Sequence, residues 1–187
     1  MHKDYEGNLW IISGEIGSGK TILCSSLVRS FKGLRWKITG LRSPAIMQAG
    51  LKVGISVENL TNHEIRQFAI HDFKPEGEED EPIHWTFDPE VMEWGNKVFL
   101  DATPTDLLVV DELGPLEMKK GLGWQNAIKA LDSRLYRQAI LVMRPKLLEL
   151  AHTRWAWGKT VVVEYVDQVE EITKRLMLEW IILQEKN

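Results

Sequence analysis

Cysteine is nearly absent from this 187-residue chain, in which Cys24 is the single example. One cysteine cannot form an internal disulfide bond, and such usage is typical of a reducing compartment, so we expect a cytoplasmic protein. The polar start of the chain, Met1 to Glu6, does not resemble a signal peptide. No apolar run reaches the length that a membrane-spanning helix needs, and we therefore expect no membrane partner.

Basic clusters are also lacking. The formal net charge is −4, the pI is about 5.8, and the lysines and arginines are scattered along the chain. Proteins that bind nucleic acids without sequence preference carry a basic patch or stripe, so the charge does not suggest a nucleic-acid partner. The histidines show no spacing typical of metal ligands; they are His2, His63, His71, His84 and His152. A histidine-based metal centre is therefore not predicted.

One glycine-rich stretch stands out against this background. Residues 14–21 read GEIGSGKT and match the phosphate-binding pattern G-x-x-x-x-G-K-[ST]. A short apolar strand is predicted at residues 8–13, and a helix with one apolar side at residues 22–31. A glycine turn before an ordinary helix would produce the same letters, but the order strand, glycine loop, helix favours a phosphate site.

The chemistry of this stretch predicts how it would bind a nucleoside triphosphate. Three glycines allow consecutive N–H groups to converge on phosphate oxygens at the positive end of the helix dipole. Lys20 is predicted to reach the β- and γ-phosphates, and Thr21 to hold Mg²⁺ through its hydroxyl. The predicted nucleotide-binding residues are Gly14, Glu15, Ile16, Gly17, Ser18, Gly19, Lys20 and Thr21. A side-chain contact from Glu15 stays open, because the x positions of the pattern tolerate many residues.

The rest of the chain alternates strand and helix patterns, which indicates one α/β domain over residues 1–187 with three layers and a mostly parallel sheet. Apolar and polar residues alternate at 51–57, and residues 64–70 can return as a partner strand. This pattern predicts an inserted antiparallel β-hairpin. Further strands are predicted at 34–41, 107–110, 139–143 and 160–165. Helices are predicted at about 89–100, 123–135 and 144–155, and at the C-terminus, where Val169, Ile172, Leu176, Trp180 and Leu183 form an apolar stripe.

The least regular part is the segment at about residues 71–88, which contains an acidic stretch at 76–81. A solvated surface loop is favoured there over a flap that gates a substrate.

Two carboxylates follow the apolar run at residues 107–110. In phosphate-loop proteins the carboxylate at such a strand end holds Mg²⁺, so Asp111 is the predicted metal ligand beside Thr21. Glu112, one position further, is predicted to lie just past the strand end and to take a proton from an attacking water as the general base. Two solvated carboxylates at a strand terminus are the alternative.

Phosphoryl transfer also favours a further cation near the γ-phosphate. Arg42 and Arg144 each follow a predicted strand on the expected ligand side. A surface or structural role is the more common one for such an arginine. Whether either residue, or an arginine from a second subunit, contacts phosphate stays open.

Three segments together resemble the THEP-type nucleoside-triphosphatase family. They are residues 14–21, residues 40–44 leading to 50–55, and the block VDELGPLE at residues 110–117. The resemblance implies a small phosphate-loop protein with a RecA-like core that hydrolyses ATP, GTP and other nucleoside triphosphates to the diphosphate and phosphate with Mg²⁺. Its phosphate loop maps onto residues 14–21 and its acidic pair onto Asp111 and Glu112. The acidic stretch at 76–81 and the residues Arg42-Ser43-Pro44 depart from the family pattern.

Two other functions stay open beside hydrolysis. A small-molecule kinase would use the same loop, but kinases of this size close an arginine-bearing lid over the phosphates. The lid candidate here contains Lys74 as its cation and is otherwise acidic. A nucleotide-dependent switch acting through a protein partner would show a hydrolysis rate that the partner stimulates.

Overall fold

In the computed structural model, residues 6–71 and 85–185 are described, with side chains as far as Ile181. The helices and strands, in chain order, are β1 (Asn8–Ser13), α1 (Lys20–Gly33), β2 (Ile38–Arg42), β3 (Ala45–Gln48), β4 (Leu51–Asn59), β5 (Ile65–His71), β6 (Trp85–Phe87), α2 (Pro89–Leu100), β7 (Thr105–Leu113), α3 (Pro115–Lys120), α4 (Gln125–Ser133), β8 (Tyr136–Met143), α5 (Leu148–Arg154), β9 (Lys159–Val162) and α6 (Val169–Glu185). Short 3-10 turns, Pro145–Leu147 and Val166–Gln168, lead into α5 and α6. The acidic stretch at 76–81 lies outside the described residues.

The described strands form one mixed sheet in the order β6-β5-β4-β2-β7-β8-β1-β9, and β3 pairs with β4. β2, β7, β8, β1 and β9 run parallel to one another, whereas β3 to β6 pair antiparallel. The predicted α/β fold with a mostly parallel sheet and an antiparallel insertion is confirmed. Because β8 lies between β1 and β7, the segments that follow these three strands meet at one edge of the sheet.

Both faces of the sheet are covered by helices, because the central strands are apolar on both sides. In β7, Leu107 and Val109 pack into the core formed with α1 and α6. Leu108 and Val110 pack into the opposite core, formed with α2, α4 and α5. Fully burying one such side chain contributes about 1.5–3 kcal/mol. This alternation holds β7 in the centre of three layers and directs the residues at its end toward different faces.

Several helices and strands begin or end at residues other than those predicted. The strand predicted at 34–41 begins later, at Ile38, because α1 extends to Gly33 and a turn with Arg35 at a φ of 57° follows it. The hairpin insertion is larger than predicted, since β3 and β6 add to its two strands. The β6 strand also replaces the irregular structure predicted for residues 85–87.

Both carboxylates of the acidic pair lie within a strand. Glu112 does not lie past the strand end as predicted, because β7 continues through Glu112 to Leu113. Gly114 and Pro115 follow the strand directly and begin helix α3. Helix α2 begins as predicted, with the Asp88 carboxylate accepting hydrogen bonds from the N–H groups of Glu90 and Val91.

In the described part of the chain, no helix has the length and apolar character needed to cross a membrane.

Candidate active site

The glycine loop joins the end of β1 to the start of α1, as the sequence predicts. Gly17 and Gly19 have φ angles of 81° and 106°, in the left-handed region that glycine adopts without strain. Gly19 is the N-cap of α1 and has no side chain to cap the helix. The first N–H groups of α1 and the positive end of its dipole therefore face the loop, which is the arrangement that binds phosphate at helix N-termini.

Lys20 lies inside the curve of this loop. Its ammonium group donates hydrogen bonds to the carbonyl oxygens of Gly14, at 2.9 Å, and Glu15, at 2.7 Å. Burial lowers the pKa of Lys20, while the nearby Glu112 carboxylate acts in the opposite direction. The side chains of Glu15 and Ile16 instead point to solvent, and Ile16 is 83% exposed. The loop thus surrounds a mostly buried cation with backbone groups.

Thr21 and Asp111 are brought together although 90 positions separate them in the chain. The Thr21 hydroxyl donates to Oδ1 of Asp111 at 3.4 Å. The backbone N–H of Ser43 donates to Oδ2 at 3.1 Å, and the Ser43 hydroxyl donates to the Asp111 carbonyl oxygen. Asp111 is 1% exposed, and this burial raises its pKa to about 6, while the Ser43 N–H acts in the opposite direction.

The oxygen atoms of Thr21 and Asp111 fit a small divalent cation that arrives with a nucleotide. Mg²⁺ prefers oxygen ligands, and it is usually bound by one or two carboxylates together with phosphate oxygens and water. No group of three or more His, Cys, Asp or Glu side chains within residues 6–71 and 85–185 could hold a metal ion. The described residues therefore suit a metal shared with phosphates better than a fully protein-bound one.

Glu112 and Arg144 form an ion pair at the same edge of the sheet. Arg144 directly follows β8, the neighbour of β7, and its Nε donates to Oε1 of Glu112 at 2.9 Å. The Glu112 side chain is 34% exposed, so its carboxylate is accessible to a water molecule. An accessible carboxylate beside a cation can accept a proton and stabilise developing negative charge.

Arg42 has a different environment. Its guanidinium donates to the Ser25 hydroxyl of α1 at 3.0 Å and pairs with Glu58 of β4. Burial alone would raise the pKa of Glu58, but hydrogen bonds from His63 and Arg42 lower it below its ordinary value. The structure thus pairs Arg144 with Glu112. Arg42 instead pairs with Glu58 and links α1, β2 and β4, and its charge also lowers the pKa of Asp111, against the larger effect of burial.

Two polar residues at this edge were not predicted to have a role. One is Ser43, which holds Asp111 as described above. The other is Glu117, whose carboxylate accepts from the N–H of Gly114 at 2.9 Å and from the N–H of Trp124 at 3.2 Å. A Glu three residues after a helix N-cap is the signal of a capping box, and it could have identified Glu117 as the residue that holds the turn after β7.

A cavity of about 390 Å³ opens beside these groups. Apolar side chains of the antiparallel insertion and of the segment after β7 line much of it. The polar lining residues are Thr21, Ser43, Lys52, Asp111, Glu112, Glu117 and Arg144.

Comparisons with known proteins identify the family to which the chain is related. A family model described as NTPase matches residues 10–150. The chain is 27% identical over 168 residues to the nucleoside-triphosphatase THEP1 of Caldivirga maquilingensis, with 88% of this chain and 92% of the relative covered. It is 22% identical over 156 residues to the nucleoside-triphosphatase THEP1 of Sulfurisphaera tokodaii, with 82% and 84% covered.

Two solved structures share the fold. The solution structure of a human cancer-related nucleoside triphosphatase superposes with a TM-score of 0.63 at 18% identity, covering 91% of this chain and 97% of that one. The crystal structure of THEP1 from Aquifex aeolicus gives 0.60 at 14% identity, covering 90% and 96%. Such low identities support the fold alone, whereas the family model spans most of the sequence. The chain belongs to the THEP-type nucleoside-triphosphatase family.

Proposed function

We propose that the protein hydrolyses nucleoside triphosphates to the diphosphate and phosphate in a Mg²⁺-dependent reaction. The observation that carries this proposal is the convergence of the glycine loop, the Thr21–Asp111 contact and the Glu112–Arg144 pair at one edge of the sheet. Family membership supports the reaction class, and the arrangement of these residues supports their roles.

Each group has a distinct task in the proposed mechanism. The loop amides of residues 14–21 and the Lys20 ammonium hold the β- and γ-phosphates. Thr21 and Asp111 hold Mg²⁺, which neutralises charge on the phosphate oxygens when bound. In this role the Lys20 ammonium exchanges its hydrogen bonds with loop carbonyls for hydrogen bonds with phosphate oxygens.

Glu112 is the proposed general base. A water oxygen attacks the γ-phosphorus, its proton passes to the Glu112 carboxylate, and the bond to the β–γ bridging oxygen breaks to release the diphosphate. Arg144 orients Glu112 through the ion pair and stabilises charge on the transferring phosphoryl group. The 34% exposure of Glu112 supports this role, because a base for hydrolysis must be accessible to water.

We also propose where the nucleoside lies. The turn Val166–Gln168 packs beside the loop, since a Cβ added to Gly19 would lie 3.3 Å from Val166. Tyr165, which precedes this turn, is 66% exposed, and Ile16 on the loop is exposed as well. The base is proposed to pack against the Tyr165 ring and the Ile16 side chain. Such an apolar contact without base-specific hydrogen bonds would accept several bases, as the proposed use of several nucleoside triphosphates requires.

The proposal also covers the domain organisation and the location of the protein. We propose a single domain over residues 1–187 with the segment at about 71–88 as an insertion, supported by the continuous sheet of the described residues. We propose a cytoplasmic location, supported by the one cysteine, Cys24, which is buried and free.

Phosphate release from ATP, GTP, CTP and UTP, measured with Mg²⁺ and again with excess chelator, tests the reaction. Wild type is expected to hydrolyse several of these nucleotides when Mg²⁺ is present and none of them in excess chelator. Glu112→Gln should lower kcat by about 10²-fold or more while nucleotide binding persists. Lys20→Ala should weaken binding itself, because a phosphate-binding cation is lost.

Glu149→Gln is a matched control, because Glu149 is an exposed carboxylate on α5 that does not line the cavity. Its kcat should equal that of wild type. Nucleotide binding by wild type without phosphate release would contradict hydrolysis and direct attention to an acceptor substrate or an activating protein partner. Full activity in Glu112→Gln would contradict the assigned base.

A further inference from the structure

The cavity beside the acidic pair is larger and less polar than hydrolysis requires. Its volume of about 390 Å³ lies within the range of small-molecule sites, which is about 300–1,000 Å³. The proposed hydrolysis needs room for the metal and the terminal phosphate beside Thr21 and Asp111, and for one water molecule next to Glu112. The residues proposed to act on the nucleotide account for part of the polar wall, and the apolar part of the wall has no role in the proposed hydrolysis.

The apolar part of the wall is largely aromatic. Phe68 of β5 stacks on Trp124, with 4.8 Å between the ring centres and 24° between the planes. Phe87 of β6 lies 5.1 Å from Phe68, and it is 43% exposed. Ile55 of β4 and Leu116 of α3 also line the cavity. This surface suits the face of a flat ring, because aromatic rings pack favourably at these separations.

Charged side chains around the cavity already have partners within the protein, so a ligand in the cavity need not carry a charge. Glu117 already accepts two backbone hydrogen bonds, and Glu112 is paired with Arg144. Lys52 also lines the cavity, and its ammonium lies 5.0 Å from the ring centre of Trp85. The lining also includes the Ser43 hydroxyl and the Glu112 carboxylate, which can form hydrogen bonds with a polar group of a ligand.

We propose that this cavity binds a second ligand, a small organic molecule with one flat aromatic ring system. The ring packs against Phe68, Phe87 and Leu116, and a polar group such as a hydroxyl points toward Ser43 and Glu112. The bound molecule then lies against the proposed phosphoryl centre. The link to phosphoryl chemistry rests on the proposed function, whereas the binding itself does not require turnover.

Ligand-observed NMR titration of the nucleotide-free protein tests the binding with indole-3-ethanol as the probe and erythritol, an alcohol without a ring, as the comparison. Wild type should bind the probe saturably and show no binding of erythritol. Leu116→Trp should weaken binding by about tenfold or more, because the larger side chain fills the cavity. Phe87→Ala removes part of the aromatic wall from an exposed position and should weaken binding by about threefold or more.

Leu100→Ala is the control, because Leu100 is 67% exposed at the end of α2 and does not line the cavity. Its affinity for the probe should equal that of wild type, and circular dichroism should show that all variants fold. Absence of saturable binding to wild type, or equal binding by wild type and both cavity variants, would overturn the proposal. Phosphate release measured on the same samples reports separately on the proposed hydrolysis, so the two proposals fail independently.

Discussion

Arg144 Nε lies 2.9 Å from Glu112 Oε1, and this ion pair joins the ends of two adjacent parallel strands. Glu112 is in the last residues of β7 and Arg144 follows β8, so the pairing of these strands determines the contact. A base and a cation held together at a phosphate site can act on the same step of phosphoryl transfer.

Replacement of Arg144 by Ala is expected to lower kcat by about 10²-fold or more, because the transition state loses a positive charge and Glu112 loses its orienting partner. Arg144→Lys should recover only part of the rate, since an ammonium lacks the fixed fork of a guanidinium. KM should change less than kcat. Steady-state phosphate release over a range of ATP concentrations measures both parameters.

Arg154→Ala provides the comparison for Arg144. Arg154 is also an exposed arginine in an ion pair, with Asp132, but it lies on α5 and does not line the cavity. Its substitution should leave kcat unchanged. Equal rates for wild type and Arg144→Ala would show that the ion pair with Glu112 has no role in turnover.

Asp111→Asn is expected to raise the stability of the folded protein and to weaken its binding of metal and nucleotide. Burial raises the pKa of Asp111 to about 6, so the folded state disfavours the charged carboxylate relative to the unfolded state, and this cost is fully present once the pH is above about 6. In chelator at pH 7.5 the uncharged variant should have a free energy of unfolding about 1–3 kcal/mol higher than wild type. The difference should shrink as the pH falls through 6 and vanish below about 4, where both side chains are neutral.

The same variant should respond poorly to Mg²⁺ and nucleotide. A ligand that binds the folded state raises Tm, and wild type should show this rise with Mg²⁺ and ADP. Asp111→Asn should show a much smaller rise because the metal loses its charged ligand. If Mg²⁺ and ADP raised the Tm of Asp111→Asn as much as that of wild type, Asp111 would not be a metal ligand.

Tyr165→Ala tests the proposed nucleoside site. Loss of the exposed ring should raise KM for ATP, GTP, CTP and UTP by about 3- to 30-fold with little change in kcat, because ground-state and transition-state binding weaken together. Tyr165→Phe should behave like wild type, since the proposed contact is with the ring face. An unchanged KM in Tyr165→Ala would locate the base elsewhere.

Glu58 should contribute a pH-dependent part of the stability. Its pKa is lowered below the ordinary value of 4.5 by His63 and Arg42, despite the opposing effect of burial, so the unfolded state binds more protons in acid. The stabilisation should be complete above pH 4.5 and lost as the pH falls through the folded-state pKa. Glu58→Gln should lower the free energy of unfolding by about 1–3 kcal/mol at pH 7 and flatten its decline below pH 4.5.

Chemical denaturation at a series of pH values measures this effect. Glu64→Gln is the control, because Glu64 pairs with Arg66 at the surface of the same insertion and exposed pairs contribute little. A decline below pH 4.5 that is as steep in Glu58→Gln as in wild type would assign the acid sensitivity to other groups.

The sequence by itself determined the elements and the local chemistry. The glycine pattern of residues 14–21 favours its own backbone conformation, and an apolar run such as residues 107–110 is typical of a strand buried on both faces, so the strand, loop and helix could be predicted. The Asp88-Pro89 start of α2 was predictable for the same reason, since the cap depends on neighbouring residues alone.

The tertiary structure decided which distant side chains meet. Arg42 and Arg144 look equivalent in the sequence, since each follows a predicted strand, and both strands, β2 and β8, pair with β7. Only the folded chain separates them, because Arg144 contacts Glu112 while the insertion brings Glu58 to Arg42. The aromatic wall of the cavity likewise combines β5, β6 and the start of α4, which local patterns do not relate. Strand order and the pairing of the insertion depend on the packing of the whole chain, and periodicity in one segment carries no information about them.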